Sequence, residues 1–380
     1  MNVARAEMRK ILLRTFAVLT VGVAVLVAAA FFYMRQPVFG QLPQGERLAR
    51  IQASPNYVNG AFQNQEDTPF LTNGATQLSI RIDNFFAQKG KPRPAHDIPT
   101  QKTDLRSLDP QDDLVVWLGH SSWYVQLNGK RILIDPVFSD HAAPLPGVVT
   151  AFGGTNIYSV QDMPWIDVLL LTHDHYDHID YPTILALKPL VKQVVTGLGI
   201  GAHFESWGYD AARIHELDWY DSYEVSKDLK LHATPARHYS GRTLTRNQAL
   251  WVGFALESPQ RRLFFSGDSG YGSHFAEIGK RFGPFDWVSL DSGQYDPRWA
   301  HLHMNPEEAA QAANDLGARV FTPGHVGRFS LASHDWNDPF RRLTVASEGR
   351  GYALWTPMIG QPVHFDGRAQ TFEAWWNSID

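Results

Sequence analysis

The chain of 380 residues has no cysteine at all, which excludes disulfides, thiolate metal sites and cysteine nucleophiles together. Any metal bound by side chains must therefore rest on histidine and carboxylate. Positive charge is not in excess either: 34 Lys and Arg stand against 39 Asp and Glu, a formal net charge of −5. No long basic run lies outside the N-terminus, so the electrostatic footprint of a nucleic-acid partner is missing. Internal repeats and low-complexity tracts are not visible. What the chain does have is apolar material, 44% of its residues, enough for a sizeable core in one large domain or two ordinary ones.

That material begins at the N-terminus. Arg5, Arg9, Lys10 and Arg14 precede an uncharged apolar run from Thr15 to Met34, and Arg35 follows it. As a helix, Phe16 to Tyr33 would span about 27 Å, close to the roughly 30 Å hydrocarbon core of a bilayer. Residues 1–36 are thus expected to form a cytoplasmic tip and an uncleaved single-pass anchor. A cleavable signal peptide competes, because Ala28-Ala29-Ala30 offers small residues at a cleavage position; against it, the apolar run continues through Phe31, Phe32 and Tyr33. The positive charge before the span places the N-terminus in the cytoplasm. In a bacterium the remainder would then lie on the periplasmic side of the inner (cytoplasmic) membrane, or be secreted to the periplasm if the segment is cleaved.

Residues 37–110 are rich in Pro, Asn, Gln and Gly and read as an irregular arm packed on the domain. Regular patterning occupies 111–380. Val115 to Leu118 and Trp123 to Leu127 look like strands, and Asn128-Gly129 is a strong hairpin turn into Arg131 to Ile134. Further strands are expected at Val168 to Leu171, Gln193 to Thr196, Leu229 to Thr234, Trp251 to Leu256, Arg262 to Ser266, Trp287 to Leu290 and Arg319 to Phe321. Helices are expected at Pro182 to Leu187, at Phe275 to Arg281 and from Pro306 to Leu316. The last has Asn305 as N-cap, acidic Glu307 and Glu308 in its first turn, and Gly317 as its stop.

Directly after the apolar run Val168 to Leu171 comes Thr172-His173-Asp174-His175-Tyr176-Asp177-His178, three imidazoles and a carboxylate at the rim of a buried strand. Neutral imidazole and carboxylate suit zinc or a similar divalent metal. His173 and His175, two apart, project to one side while strand geometry persists, and Asp177 and His178 follow on a turn and can face a second metal. His238, Asp268 and His325 also sit just beyond apolar runs, so strands ending at one sheet edge would gather them beside this cluster. The expected division has His173, His175 and His238 on one metal and Asp177, His178 and His325 on another, with Asp268 bridging through its two oxygens.

These residues match a known pattern. His173-x-His175-x-Asp177-His178 is similar to the signature of the metallo-β-lactamase superfamily. Trp117-Leu118-Gly119-His120, Ile134-Asp135-Pro136-Val137-Phe138-Ser139, Glu216-Leu217-Asp218-Trp219 and the run Phe264 to Tyr271 resemble its N-acyl-phosphatidylethanolamine-hydrolysing phospholipase D branch. So do Glu277 to Asp286, Tyr295 to Trp299 and His303 to Ala309. The resemblance covers roughly Glu46 to Gly367. It implies an α/β fold, an αββα sandwich, and a site of two zinc ions, with other divalent metals open, held by those seven ligands.

By the same resemblance, a metal-bridging hydroxide attacks the phosphorus of a phospholipid, and Asp177, Asp268 and His303 belong to the catalytic group. His303 matches a position close to the bound phosphoester, where it can donate to a phosphate oxygen or protonate the leaving group; the bland alternative is a surface histidine beside a helix. His120, Asp135 and Asp180 either orient ligating imidazoles or serve turn and core roles. Three departures stand out: Asp291 to Gln294 is more polar than the family's usual stretch, Pro323-Gly324 and Val326 to Phe329 around His325 differ in aromatic context from the animal phospholipases, and the N-terminal span is unusual for enzymes that dock peripherally. The expected partners are a phospholipid or other phosphoester substrate and a membrane, with no nucleic acid. Two rival readings remain, a lactonase or small ester hydrolase of the same superfamily and a catalytically silent metal-binding membrane protein.

Overall fold

The computed structural model describes residues 2–76, 78–80 and 90–379. Among the described residues, two seven-stranded sheets face each other. In the first, Leu114–Gly119 (β3), Ser122–Leu127 (β4) and Lys130–Ile134 (β5) form an antiparallel meander. Ile166–Leu171 (β6), Val191–Gly197 (β7) and Ile214–Leu217 (β8) then continue it in parallel. The second sheet repeats the plan. Ser222–Ser226 (β9), Leu229–Thr234 (β10), Gly253–Glu257 (β11) and Arg262–Phe265 (β12) are antiparallel, whereas Trp287–Asp291 (β13), Val320–Gly324 (β14) and Ala353–Leu354 (β15) are parallel. Pro362–His364 (β16) closes the outer edge of the first sheet against β3.

Period-two alternation explains why the sheets stack. In β3, Val115 and Trp117 enter the core between the sheets, and Leu114, Val116 and Leu118 enter a second core outside them. In β6 the inward pair is Val168 and Leu170, the outward pair Leu169 and Leu171. In β12, Leu263 and Phe265 point inward and Phe264 outward. Both faces of each sheet are thus apolar, and each outer face needs a cover. Ile184 and Leu187 of the helix Tyr181–Leu187 and Phe204 of Gly201–Ser206 supply it on one side. Phe275 and Ile278 of His274–Phe282, Ala309 and Ala312 of Pro306–Asp315, and Leu343 of Asp338–Ala346 supply it on the other. The result is four layers, αββα.

Local signals are obeyed where they were strong. Asn128 and Gly129 take φ of 52° and 71°, as a tight hairpin with two left-handed residues requires. Asn305 Oδ1 accepts from the Glu308 amide and Glu308 Oε2 accepts from the Asn305 amide, both at 3.0 Å, a reciprocal capping box. One expected strand needs correction, and several elements were not anticipated. The strand expected from Trp251 starts at Gly253, because the Val252 amide donates instead to Thr172 O of the facing sheet and the Trp251 indole to Ala236 O. The edge strands β8, β9 and β16 and the helix Asp338–Ala346 were not anticipated, since their sequences are short and half-polar.

The arm 37–110 is not merely irregular: it contains the helix Gly45–Ala53 and the hairpin Tyr57–Val58 (β1) with Ala61–Phe62 (β2). Ile51, Phe62, Ile98 and Leu105 from it are buried in the core. The tract 216–219 is where the arm docks. Arg47 Nε donates to Glu216 Oε2 at 2.8 Å, and Ser54 Oγ and Asn56 Nδ2 donate to Asp218 at 2.6 and 2.8 Å. The N-terminal helix runs from Asn2 to Tyr33, and its stretch from Glu7 is long and apolar enough to cross a membrane, a test that a signal sequence also passes.

Truncating a ring that serves an outer core should cost what large cavities cost. Phe264→Ala is expected to lower unfolding stability by about 4 kcal/mol. Urea unfolding followed by tryptophan fluorescence would read it as a lower midpoint with an unchanged slope.

Candidate metal centre

Every strand that contributes to the centre does so at its C-terminal end, where open α/β sheets present their loops. β3 ends at His120, β5 at Asp135, β6 at the 173–178 cluster, β10 runs on to His238, β12 to Asp268, β13 ends in Asp291 and β14 runs into His325. Three of these, His120, Asp135 and His325, have φ of 56°, 43° and 59°. Left-handed backbone on a side-chain-bearing residue costs roughly 1 kcal/mol or more, and its concentration here marks a site where side-chain direction outweighs backbone comfort.

All seven expected ligands converge. His173 Nε2 lies 2.9 Å and His238 Nε2 3.2 Å from His175 Nδ1, and Asp268 Oδ2 stands 3.6 and 3.7 Å from the first two. Donor atoms around one tetrahedral zinc are about 3.3 Å apart, given bonds near 2.05 Å. On the other side, Asp268 Oδ1 lies 3.1 Å from His178 Nε2 and 3.0 Å from His325 Nδ1, and Asp177 Oδ2 lies 3.6 Å from His178 Nε2. Each oxygen of Asp268 thus serves a different group. Ligand atoms of His173, His175, His238 and Asp268 form one set that could hold an ion, and those of His120, Asp177, His178 and His325 another.

The donor chemistry fits a cation on three counts. First, His178 Nε2, His325 Nε2 and Asp268 Oδ1 are buried without a hydrogen-bond partner of acceptable geometry, a costly state for protein atoms alone. Second, outer contacts aim the inner nitrogens. His238 Nδ1 donates to Leu302 O at 3.0 Å and His178 Nδ1 to Asp135 Oδ2 at 2.7 Å, which leaves Nε2 of each ring turned toward the cluster. Thr172 Oγ1, itself donating to Asp135 Oδ2, is 3.0 Å from His173 Nδ1. Third, charge is out of balance. Burial holds His173 and His238 well below the usual imidazole range, so both are neutral. Burial opposes charge on His178 and His325 as well, yet Asp268 and its neighbouring carboxylates raise both, so the acids here demand a positive partner. Against the same burial, His178 and His325 keep Asp268 ionised well below the carboxylate range.

The three residues expected to act behind the ligands divide. Asp135, 1% exposed, holds His178 and also accepts from the Thr172 amide at 2.9 Å, so it orients an imidazole. His120 orients a carboxylate instead: its Nε2 donates to Asp177 Oδ2 at 3.0 Å, and burial first, then His325, pushes it down to about 3, which keeps it neutral. Asp180 touches no imidazole; it accepts from the Ser139 amide, the Ser139 hydroxyl and the Thr183 hydroxyl, a loop and helix-entry role.

His303 is not a surface residue beside a helix. Its ring stacks on His325 at 5.0 Å and 6°, and its Nδ1 lies 2.8 Å from Asp291 Oδ2. That pairing was missed in the sequence, where the two are twelve residues apart on different elements. Asp291 belongs to the polar stretch that departs from the usual pattern, and the stretch is polar because it is wired internally. Asp291 also accepts from the Ser269 amide, and Gln294 donates to His325 O and Phe329 O and accepts from the Leu331 amide. Tyr239 was missed as well; its ring packs on His175 and His238 at 4.4 and 4.8 Å. The centre forms the floor of a cavity of about 450 Å³ whose walls include Phe70, Leu71, Ile80, Trp299 and Leu331.

Residues 130–326 match the family model described as a β-lactamase superfamily domain. An uncharacterised protein of Mycobacterium tuberculosis is 37% identical over 340 residues, covering 87% of this chain and 91% of that protein. The mitochondrial N-acyl-phosphatidylethanolamine-hydrolysing phospholipase D of Saccharomyces cerevisiae is 32% identical over 371 residues, covering 83% of this chain and 78% of the yeast protein. Among solved structures, the isothiocyanate hydrolase from Delia radicum gut bacteria superposes with a TM-score of 0.53 at 20% identity, over 66% of this chain and 98% of its own. That last likeness concerns the fold alone.

Removing the carboxylate behind His178 should loosen metal without touching a ligand. Asp135→Asn is expected to weaken zinc affinity about ten- to a hundredfold. Competition with a chelating dye would measure it, and an unchanged affinity would dismiss the orienting role.

Proposed function

We propose that this chain, which belongs to the β-lactamase superfamily of metal-dependent hydrolases, is a membrane-anchored zinc phosphodiesterase acting on phospholipids. The reaction is of phospholipase D type, on an N-acyl-phosphatidylethanolamine-like lipid. The observation that carries this reading is the cavity, which sets a floor of charged donors and His303 beneath apolar walls from Phe70, Leu71, Ile80 and Leu331. Such a site takes a phosphodiester and the start of its acyl chains together. Similarity to the yeast phospholipase over most of both chains supports the same substrate class.

In this reading His173, His175 and His238 would hold one zinc and Asp177, His178 and His325 a second, with Asp268 shared between the two groups. Bound there, the metals would supply charge neutralisation at phosphoryl oxygens and lower the pKa of attacking water. The chain's own groups do the rest. Asp268, its side chain 2% exposed, fixes the two sets at one spacing, and His120 keeps Asp177 turned inward. With Nδ1 engaged by Asp291, Nε2 is the atom of His303 left for the substrate. From that atom a proton passes to the departing headgroup oxygen as the phosphorus–oxygen bond breaks, leaving a phosphatidate and a neutral alcohol. The N-terminal helix serves as the anchor, on the inner membrane with the catalytic domain outside the cytoplasm.

Two measurements test this. Purified full-length protein supplied with zinc is expected to release phosphatidic acid from N-acyl-phosphatidylethanolamine in mixed micelles, identified by mass, and Asp268→Ala to lose at least about a hundredfold in rate. A protein that holds two metals yet cleaves no lipid would move the assignment to a lactone or small ester. For the proton donor, His303→Ala should lower kcat about a hundredfold or more on a poor leaving group such as an ethanolamide, and far less on nitrophenolate, which needs no proton. Equal losses on both would remove His303 from that role.

A further inference from the structure

The residues that follow the N-terminal helix are not a free linker. Tyr33, in its last turn, donates its hydroxyl to Pro144 O at 2.7 Å. The Trp207 indole donates to Pro37 O at 2.8 Å, Arg242 Nη2 to Val38 O at 2.8 Å, and the Gln41 amide to His203 Nδ1 at 3.0 Å. Phe39 is buried edge-on between Tyr33 and Tyr176 at 5.5 and 6.3 Å. Arg242, 4% exposed, also donates to Asp174 O and Ile179 O, so the guanidinium that grips the strap grips the metal-ligand loop too. The exit of the helix is therefore fixed relative to the centre.

Two loops meet that exit and also border the cavity. Residues 140–149 contact it through Pro144 and line the cavity with Ala142; residues 241–246 contact it through Arg242 and line the cavity with Thr243 and Arg246. Both carry large apolar side chains in the open: Leu145 is 51% exposed, Val148 46% and Leu244 86%. Isolated exposed apolar residues are ordinary in soluble proteins. These belong to loops that meet the end of an apolar helix, through Pro144 and Arg242. Beside them Arg246 lies over the Phe70 ring at 4.0 Å, with no carboxylate in contact with it among the described residues, an arrangement suited to lipid phosphate.

We infer that loops 140–149 and 241–246 are a bilayer-docking surface, which lays Leu145, Val148 and Leu244 into the same membrane the N-terminal helix crosses and holds the cavity mouth against it. The occupant is the lipid surface itself. The inference rests on the anchor reading above, and it explains how a lipid reaches a buried centre: the strap fixes the mouth at the interface, where substrate is at high local concentration.

The absence of cysteine makes the test clean, since Leu244→Cys, Val148→Cys and Val345→Cys each accept a single fluorophore. Val345, 68% exposed on the helix Asp338–Ala346, is the control. In full-length protein reconstituted into phosphatidylglycerol-containing vesicles, nitroxide-bearing lipids should quench the labels at 244 and 148 severalfold more than the label at 345. Labels at 244 and 148 reached by aqueous iodide and not by the lipid quencher would overturn the surface, as would shielding that rises with protein concentration without lipid, the mark of a second copy. Release of the chain by alkaline carbonate would overturn the anchor and the surface together.

A separate arm addresses function. Leu244→Asp should lower turnover of vesicle lipid about tenfold relative to bis(4-nitrophenyl) phosphate in solution. A ratio left at its original value would remove Leu244 from the docking surface. If the protein cleaves neither compound, the phosphodiesterase reading fails by itself, while the quenching result still decides the surface.

Discussion

The structure turns on one buried carboxylate. Asp268 places Oδ2 against His173 and His238 and Oδ1 against His178 and His325, with its side chain 2% exposed. An anion so far from water is tolerable only in company with positive charge, and neutral imidazoles facing one another are tolerable only with something between their lone pairs. The surrounding atoms left without hydrogen bonds say the same. Protein atoms alone leave the centre electrostatically incomplete, and a cation held among these side chains would complete it.

That demand explains the architecture behind it. Two sheets of like plan, each antiparallel and then parallel, bring the C-terminal ends of β6, β12 and β14 to one rim. Short loops leaving the ends of β6 and β10 hold the nitrogens of His173, His175 and His238 at 2.9 and 3.2 Å. The next layer is as ordered as the first: Asp135 aims His178, Leu302 O aims His238, and Asp291 engages His303. Backbone strain at His120, Asp135 and His325 is maintained by the surrounding packing for the same end.

On the outer side of the metal-ligand loop, Arg242 joins the centre to the strap behind the N-terminal helix. Among the described residues it donates to carbonyl oxygens, Asp174 O, Ile179 O and Val38 O, so its bonds hold backbone in place without consuming a carboxylate. One guanidinium and a few carbonyls thus fix the centre relative to the exit of the N-terminal helix.

Much of this was legible in the chain before folding. The 173–178 cluster, the turn at Asn128-Gly129, the capped helix at Asn305 and the apolar N-terminal run are local patterns whose physics is complete within a dozen residues. Their positions in the structure agree with the reading, and His238, Asp268 and His325 were found because each follows an apolar strand. The helix Gly45–Ala53 and the edge strands were not legible, since they are stabilised by partners such as Glu216 and Asp218 that lie far along the chain. The pairing of Asp291 with His303, the turning of His120 toward Asp177 rather than an imidazole, and the seating of residues 33–41 on two cavity loops likewise depend on distances across elements. Residue type and spacing determine which donors exist and which strands carry them; which atom meets which is decided only when two sheets pack, because no local signal encodes a contact between their edges.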